Sequence, residues 1–305
     1  MKRSILLCLL LALGSAAASA QSLPELNSKL GEQIVSIDKA SGFFHVKLEA
    51  TLFKPEGAGP FPLVIINHGK SHGDPKFQKR ARYIQASRAL VRRGFAVLIP
   101  MRQGFANSEG SFISGGCDMA SHGEAQAKDV LAAIRYAQSL PFIDATKMVV
   151  FGQSHGGLTV LALGSAEVPG LLGIVNFAGG YRKTSCIGWE GQLVDASAQF
   201  GRSARYPSLW FYGDNDTYFQ PWLWKKMFET YRQGAGAKAQ LVSFGEFESD
   251  SHSMFSKASG LPIWLPEVEK FFQSLGLKFS EVARTSQASD MSHHADVPDA
   301  VRDVE

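Results

Sequence analysis

A serine stands between two glycines at Gly152-Gln-Ser-His-Gly156, and this spacing can do nucleophilic chemistry. The residues before it, Met148-Val-Val-Phe151, are β-branched and apolar like a buried strand. Those after it, Gly157-Leu-Thr-Val-Leu-Ala-Leu163, can open a buried helix. A strand that turns into a helix this tightly forces strained dihedrals on the serine. It tolerates only small residues two positions to either side. The turn lifts Ser154 Oγ above the sheet at a helix N-terminus, where free N–H groups and the helix dipole favour developing negative charge.

Serine alone is a weak nucleophile and needs a base oriented by an acid. Where such a turn tops a parallel sheet, the chain order is serine, acid, histidine. Beyond His155, the histidines after Ser154 are His252, His293 and His294. The last two fall in a polar tail, whereas His252 sits in Ser249-Asp-Ser-His-Ser-Met-Phe255, between the last strand and the last helix. Two carboxylates, Asp214 and Asp216, follow the strand Ser208–Tyr212 and qualify as the acid. Asp250 is expected to order the histidine loop as a turn residue. An oxyanion needs two backbone donors. His155 N–H supplies one. The other is expected from Asn67-His-Gly-Lys70 after the strand Leu63–Ile66, with Lys70 N–H the better candidate and Gly69 N–H the runner-up. His68 reads as structural.

With these segments in this order, residues 40–278 resemble the α/β-hydrolase superfamily, most closely its dienelactone-hydrolase-like and prolyl-oligopeptidase-like serine hydrolases. Pro100-Met-Arg-Gln-Gly-Phe-Ala-Asn-Ser-Glu-Gly110 resembles the arginine-glycine loop that follows a central strand in these proteins. The resemblance implies that Asp216, on its Gly-x-x-Asp spacing, is the acid. It implies a metal-free carboxylic-ester hydrolase working through an acyl-enzyme on a small-molecule ester, with no cofactor. Dienelactone hydrolases proper carry cysteine where Ser154 stands. The oligopeptidases carry a large propeller upstream, whereas here about twenty residues of the mature chain precede the first expected strand. The rival readings are an exported peptidase with the same triad and a non-catalytic binding protein on a hydrolase scaffold.

The elements that must position these residues alternate strand and helix. Strands are expected at 43–52, 63–66, 95–100, 147–151, 171–177, 208–212 and 240–244, and helices at 78–93, 124–140, 221–232 and 265–275. This alternation implies an α/β-hydrolase fold, a mostly parallel central sheet with helices on both faces. Trp189, Trp222 and Trp224 could line a pocket or anchor the core. With 45% hydrophobic residues among 305, the chain can bury one large core. Lys2-Arg3, the apolar run Ile5–Leu13 and Ala18-Ser19-Ala20 read as a cleaved signal peptide over 1–20. The catalytic domain then spans 21–279 and a disordered tail spans 280–305. The mature chain carries 29 basic and 28 acidic residues. That balance points to neither nucleic acid nor an anionic membrane as partner. An exported protein with Cys117 and Cys186 remaining is expected to pair them in a disulfide.

Overall fold

The continuous apolar runs of the sequence become strands whose residues are divided between two cores. The computed structural model describes residues 25–41, 43–235 and 238–279, so the signal-peptide and tail expectations lie outside the described residues. Strands β1 (Gln33–Ser41), β2 (Phe44–Phe53), β3 (Phe61–Asn67), β4 (Ala96–Pro100), β5 (Ile143–Gln153), β6 (Leu171–Phe177), β7 (Ser208–Tyr212) and β8 (Ala239–Ser243) form one sheet. Its order is β1-β2-β4-β3-β5-β6-β7-β8. Strand β2 runs antiparallel to both β1 and β4, and all other pairings are parallel. The period of two explains the apolar runs. Leu63, Ile65, Met148 and Val150 enter the core beneath α2 (Met119–Gln138), α3 (His155–Leu163), α4 (Trp189–Arg202) and α5 (Pro221–Ala235). Val64, Ile66, Val149 and Phe151 enter the core beneath α1 (Ile84–Val91) and α6 (Leu261–Ser274). Helices on both faces of a mostly parallel sheet are what the sequence implied.

Three elements differ from the sequence expectation. Strand β1 precedes the first expected strand. It is a sheet edge that buries only Ile37 and Lys39, so its composition carries little periodicity. Helix α4 was not assigned. The helix expected from position 78 starts only at Ile84, because Tyr83 adopts φ 42° and residues 78–82 are held by side chains in a non-helical course. Arg80 and Arg82 both pair with the buried carboxylate of Glu32, and Gln78 donates to Gly69 O at 3.1 Å. Among the described residues no helix is long and apolar enough to cross a membrane.

Cys117 and Cys186 are bridged, with Cα atoms 5.6 Å apart. Cys117 immediately precedes Asp118, whose carboxylate caps α2 by accepting from Ala120 N and Ser121 N; Cys186 lies just before α4. The bridge joins the two loops that enter these helices. Lys183 Nζ reinforces it by donating to Gly116 O at 2.7 Å. Replacing both cysteines by serine is expected to cost about 2–4 kcal/mol in denaturant unfolding of the oxidised protein. A double variant as stable as the parent would show that the loops are held without it.

Candidate active site

The turn around Ser154 shows why its glycines are where they are. Ser154 takes φ 53° and ψ −122°, a left-sided conformation that the strand β5 and the helix α3 impose between them. A Cβ on Gly152 would lie 2.1 Å from Gly156 O, and one on Gly156 would lie 2.2 Å from Asn67 O. Gly156→Ala therefore has to push β3 and α3 apart. It is expected to lower stability by about 1–3 kcal/mol and to reduce any esterase activity together with it, read by thermal unfolding and initial rates.

The loop after β3 approaches from the other side. A Cβ on Gly69 would sit 3.3 Å from Ser154 Cβ, so this loop borders Ser154 directly. Gly69 N–H points at the Tyr83 hydroxyl at 3.4 Å. Lys70 N–H has no acceptor among the described residues. His155 is the first residue of α3, so its N–H has no partner within the helix. His68 is buried. Its Nε2 accepts from Arg102 N at 3.1 Å and its Nδ1 lies 2.7 Å from Gly69 O, fixing the turn.

Of the two carboxylates after β7, Asp216 meets His252: Oδ2 lies 3.0 Å from Nδ1. Asp216 is 1% exposed, and its Oδ1 accepts from Tyr218 N and Phe219 N at 2.8 and 2.9 Å. Asp214 is exposed. Asp250 caps the short helix at 251–256, accepting from His252 N and from both Thr217 N and Thr217 Oγ1. Gln153 ties the Ser154 turn to the His252 loop. Its Nε2 donates to His252 O at 3.1 Å, and its Oε1 accepts from Tyr83 Oη at 2.8 Å. Ser154 Oγ has no hydrogen-bond partner among the described residues.

Several contributors carried no signal in the sequence. Tyr218 stacks on the His252 ring, centroids 4.4 Å apart, and its hydroxyl lies 3.0 Å from His72 Nε2. Phe219 borders the same ring at 5.5 Å and faces Trp189 at 6.5 Å. The tryptophans divide: Trp224 is core, stacked on Tyr212, while Trp222 is 61% exposed. The His155 side chain turns inward. Its Nδ1 accepts from Arg102 Nη2 at 2.9 Å, and its Nε2 meets His122 Nε2. His122 in turn stacks on Tyr181, centroids 4.4 Å apart.

Burial, then the Arg102 charge, holds His68, His122 and His155 below the ordinary imidazole range, His122 down to about 3. These rings stay neutral in the folded protein at pH 6 and charge on unfolding. Their contribution is therefore complete above about pH 6.5 and lost as the pH falls below it, at roughly 1.4 kcal/mol per pH unit for each ring. Unfolding in urea at pH 7.5 and 5.5 should differ by roughly 4 kcal/mol if all three behave this way. His122→Phe should flatten that slope by about a third. An unchanged slope would mean His122 is protonated in the folded state.

Over residues 42–206, more than half its length, the sequence matches the X-Pro dipeptidyl-peptidase (S15) family. The chain belongs to this family. The matched stretch holds Lys70, Arg102, Ser154 and both cysteines, and stops short of Asp216 and His252. This S15 member is also 32% identical, over 117 residues, to the quorum-quenching protein AidA of Acinetobacter baumannii. That alignment covers 38% of the chain and 35% of AidA, about a third of the relative's length. Solved structures share its fold. A Pyrococcus furiosus esterase superposes with TM-score 0.59 at 14% identity, covering 83% of this chain and 95% of the esterase. Est1E of Butyrivibrio proteoclasticus, solved with ferulic acid, gives 0.56 at 19%, covering 79% and 98%. An acylaminoacyl peptidase of Pyrococcus horikoshii gives 0.59 at 12%, covering 82% of this chain and 42% of the peptidase. Membership of the family makes the S15 chain a serine hydrolase.

Proposed function

We propose that the chain is an exported carboxylic-ester hydrolase working through an acyl-enzyme. The observation that carries the reading is the convergence of the strained Ser154 turn with the His252–Asp216 pair at the same end of the sheet. Ser154 Oγ attacks the ester carbon while His252 Nε2 takes its proton. Asp216 accepts from Nδ1–H, which keeps Nε2 free to act as base. The tetrahedral oxyanion lies against the N–H groups of His155 and Lys70. Collapse breaks the C–O bond, and His252 returns the proton to the leaving alcohol. A water deprotonated by His252 then attacks the acyl-enzyme, releasing the acid and free Ser154. The substrate is a small ester, and no cofactor enters any step.

The family match favours a second reading, cleavage of a dipeptide ending in proline from a free N-terminus. An α-ammonium group requires a carboxylate with free oxygens. Asp216 and Asp250 beside the base are taken up by backbone N–H groups, Thr217 and His252. Arg182, 5.9 Å from the Tyr218 ring and donating to Thr217 O, brings a cation to this rim instead. We therefore favour the ester. With p-nitrophenyl acyl esters and X-Pro p-nitroanilides compared on one preparation, kcat/KM should be at least about 10²-fold higher for an ester. Faster turnover of the X-Pro anilide would reverse the choice. For export, mass spectrometry of protein recovered outside the cytoplasm of a bacterial host should find the chain beginning at or near Gln21. An intact Met1 on that product would contradict it.

A further inference from the structure

We infer that Arg102 is the positioning residue for both halves of the oxyanion hole, holding the Lys70 loop through His68 and the Ser154 turn through His155. This rests on the functional reading above, in which Lys70 N–H and His155 N–H bind the oxyanion.

The two donors lie on different elements, one on the loop after β3 and one at the start of α3. Their separation and aim must be fixed to a few tenths of an ångström for a tetrahedral oxygen to receive both. Arg102, two residues past the end of β4, touches both. Its backbone N–H donates to His68 Nε2 at 3.1 Å, and His68 Nδ1 closes onto Gly69 O, immediately before Lys70. Its guanidinium donates through Nη2 to His155 Nδ1 at 2.9 Å. One residue thus engages the His155 ring through its side chain and, through its main chain, the His68 ring two positions before Lys70.

The surroundings keep Arg102 itself still. Its side chain is fully buried and its guanidinium lies 5.1 Å from the Phe105 ring, which also packs edge-on against His68 at 4.7 Å. The next residue, Gln103, donates from its backbone to Asp129 at 2.7 Å, and Asp129 is paired with buried Lys39. Burial lowers the guanidinium to about 10 while Asp129 opposes it, so Arg102 remains a cation at neutral pH. Burial, and after it that cation, keeps both imidazoles neutral, with the lone pairs that accept from Arg102 available. Burying a charge is costly unless it is paired. Nε and Nη1 of Arg102 nevertheless have no partner among the described residues. A neutral residue would be the cheaper filling here, which is consistent with a positional role for the guanidinium.

The test uses Arg102→Met and Arg102→Lys in the full mature chain, with the best ester as substrate. Removing an oxyanion donor outright costs about 10²–10³-fold in kcat, so loss of its aim should cost roughly 10–10²-fold with KM within about threefold. Affinity for phenylboronic acid, whose Ser154 adduct places an oxygen in the same hole, should weaken by a similar factor. A role limited to holding the fold would instead lower the melting temperature and the active fraction, leaving the kcat of the labelled, active enzyme unchanged. Should Arg102→Met fail to fold, His155→Gln and His155→Leu replace it. Glutamine can accept from the guanidinium and should stay within about fivefold of the parent; leucine cannot and should fall about tenfold further. Equal kcat and boronate affinity in parent and Arg102→Met, or in the Gln and Leu pair, would overturn the inference. If the parent protein itself is not labelled at Ser154 by a fluorophosphonate and turns over no ester, the functional reading has failed instead.

Discussion

Ser154→Ala is expected to lose on the order of 10⁶-fold in kcat, because members of a catalytic triad act as one unit and the remaining two cannot supply a nucleophile. Stability should change little. The left-sided backbone at this position is imposed by Gly152 and Gly156 packing against neighbouring carbonyls, and alanine keeps the same Cβ. Ser154 Oγ also makes no hydrogen bond among the described residues whose loss would be felt. Ester hydrolysis rates paired with thermal unfolding check both halves. Activity surviving in a variant that has also lost fluorophosphonate labelling would place the nucleophile elsewhere.

Asp216→Asn should cost about 10⁴-fold in kcat by a different route. The asparagine oxygen can still accept from Tyr218 N and Phe219 N, so the turn is preserved. Its amide then faces His252 Nδ1 with a donor. The ring must accept there and carry its proton on Nε2, where it can no longer receive one from Ser154. Asp214→Asn serves as the control, and its exposed side chain predicts a change of less than about twofold. A large loss in Asp214→Asn with Asp216→Asn active would exchange the two assignments.

The parts of this site that the sequence revealed are those governed by local geometry. The glycine spacing around Ser154 is dictated by contacts within a few residues, as are the strand before it and the helix after it. The residues alone left Asp214 and Asp216 open, the family spacing pointed to Asp216, and burial separates them: one carboxylate is enclosed with three donors, the other is in solvent. What sequence could not show was partnership across long separations. Gln153 reaches His252 O across 99 positions, Tyr218 meets His72 across 146, and His122 faces His155 from another helix. No periodicity encodes such meetings, because they depend on how the sheet orders its strands. Helix α1 starts later than the spacing over 78–93 implies for a related reason. Its apolar spacing was sound, but Glu32, on the segment before β1, captures Arg80 and Arg82 and keeps the first residues out of the helix.

The Cys117–Cys186 bridge has a topological consequence for limited proteolysis. It encloses a covalent ring of chain that contains Ser154 and leaves Asp216 and His252 outside. A single peptide cut inside the ring leaves one covalently continuous molecule with all three residues still attached. A single cut between 187 and 215 separates Ser154 from Asp216 and His252 into two polypeptides that only packing can keep together. Backbone cleavage on the two sides of Cys186 thus differs in kind: one wound is sutured beforehand, the other is not.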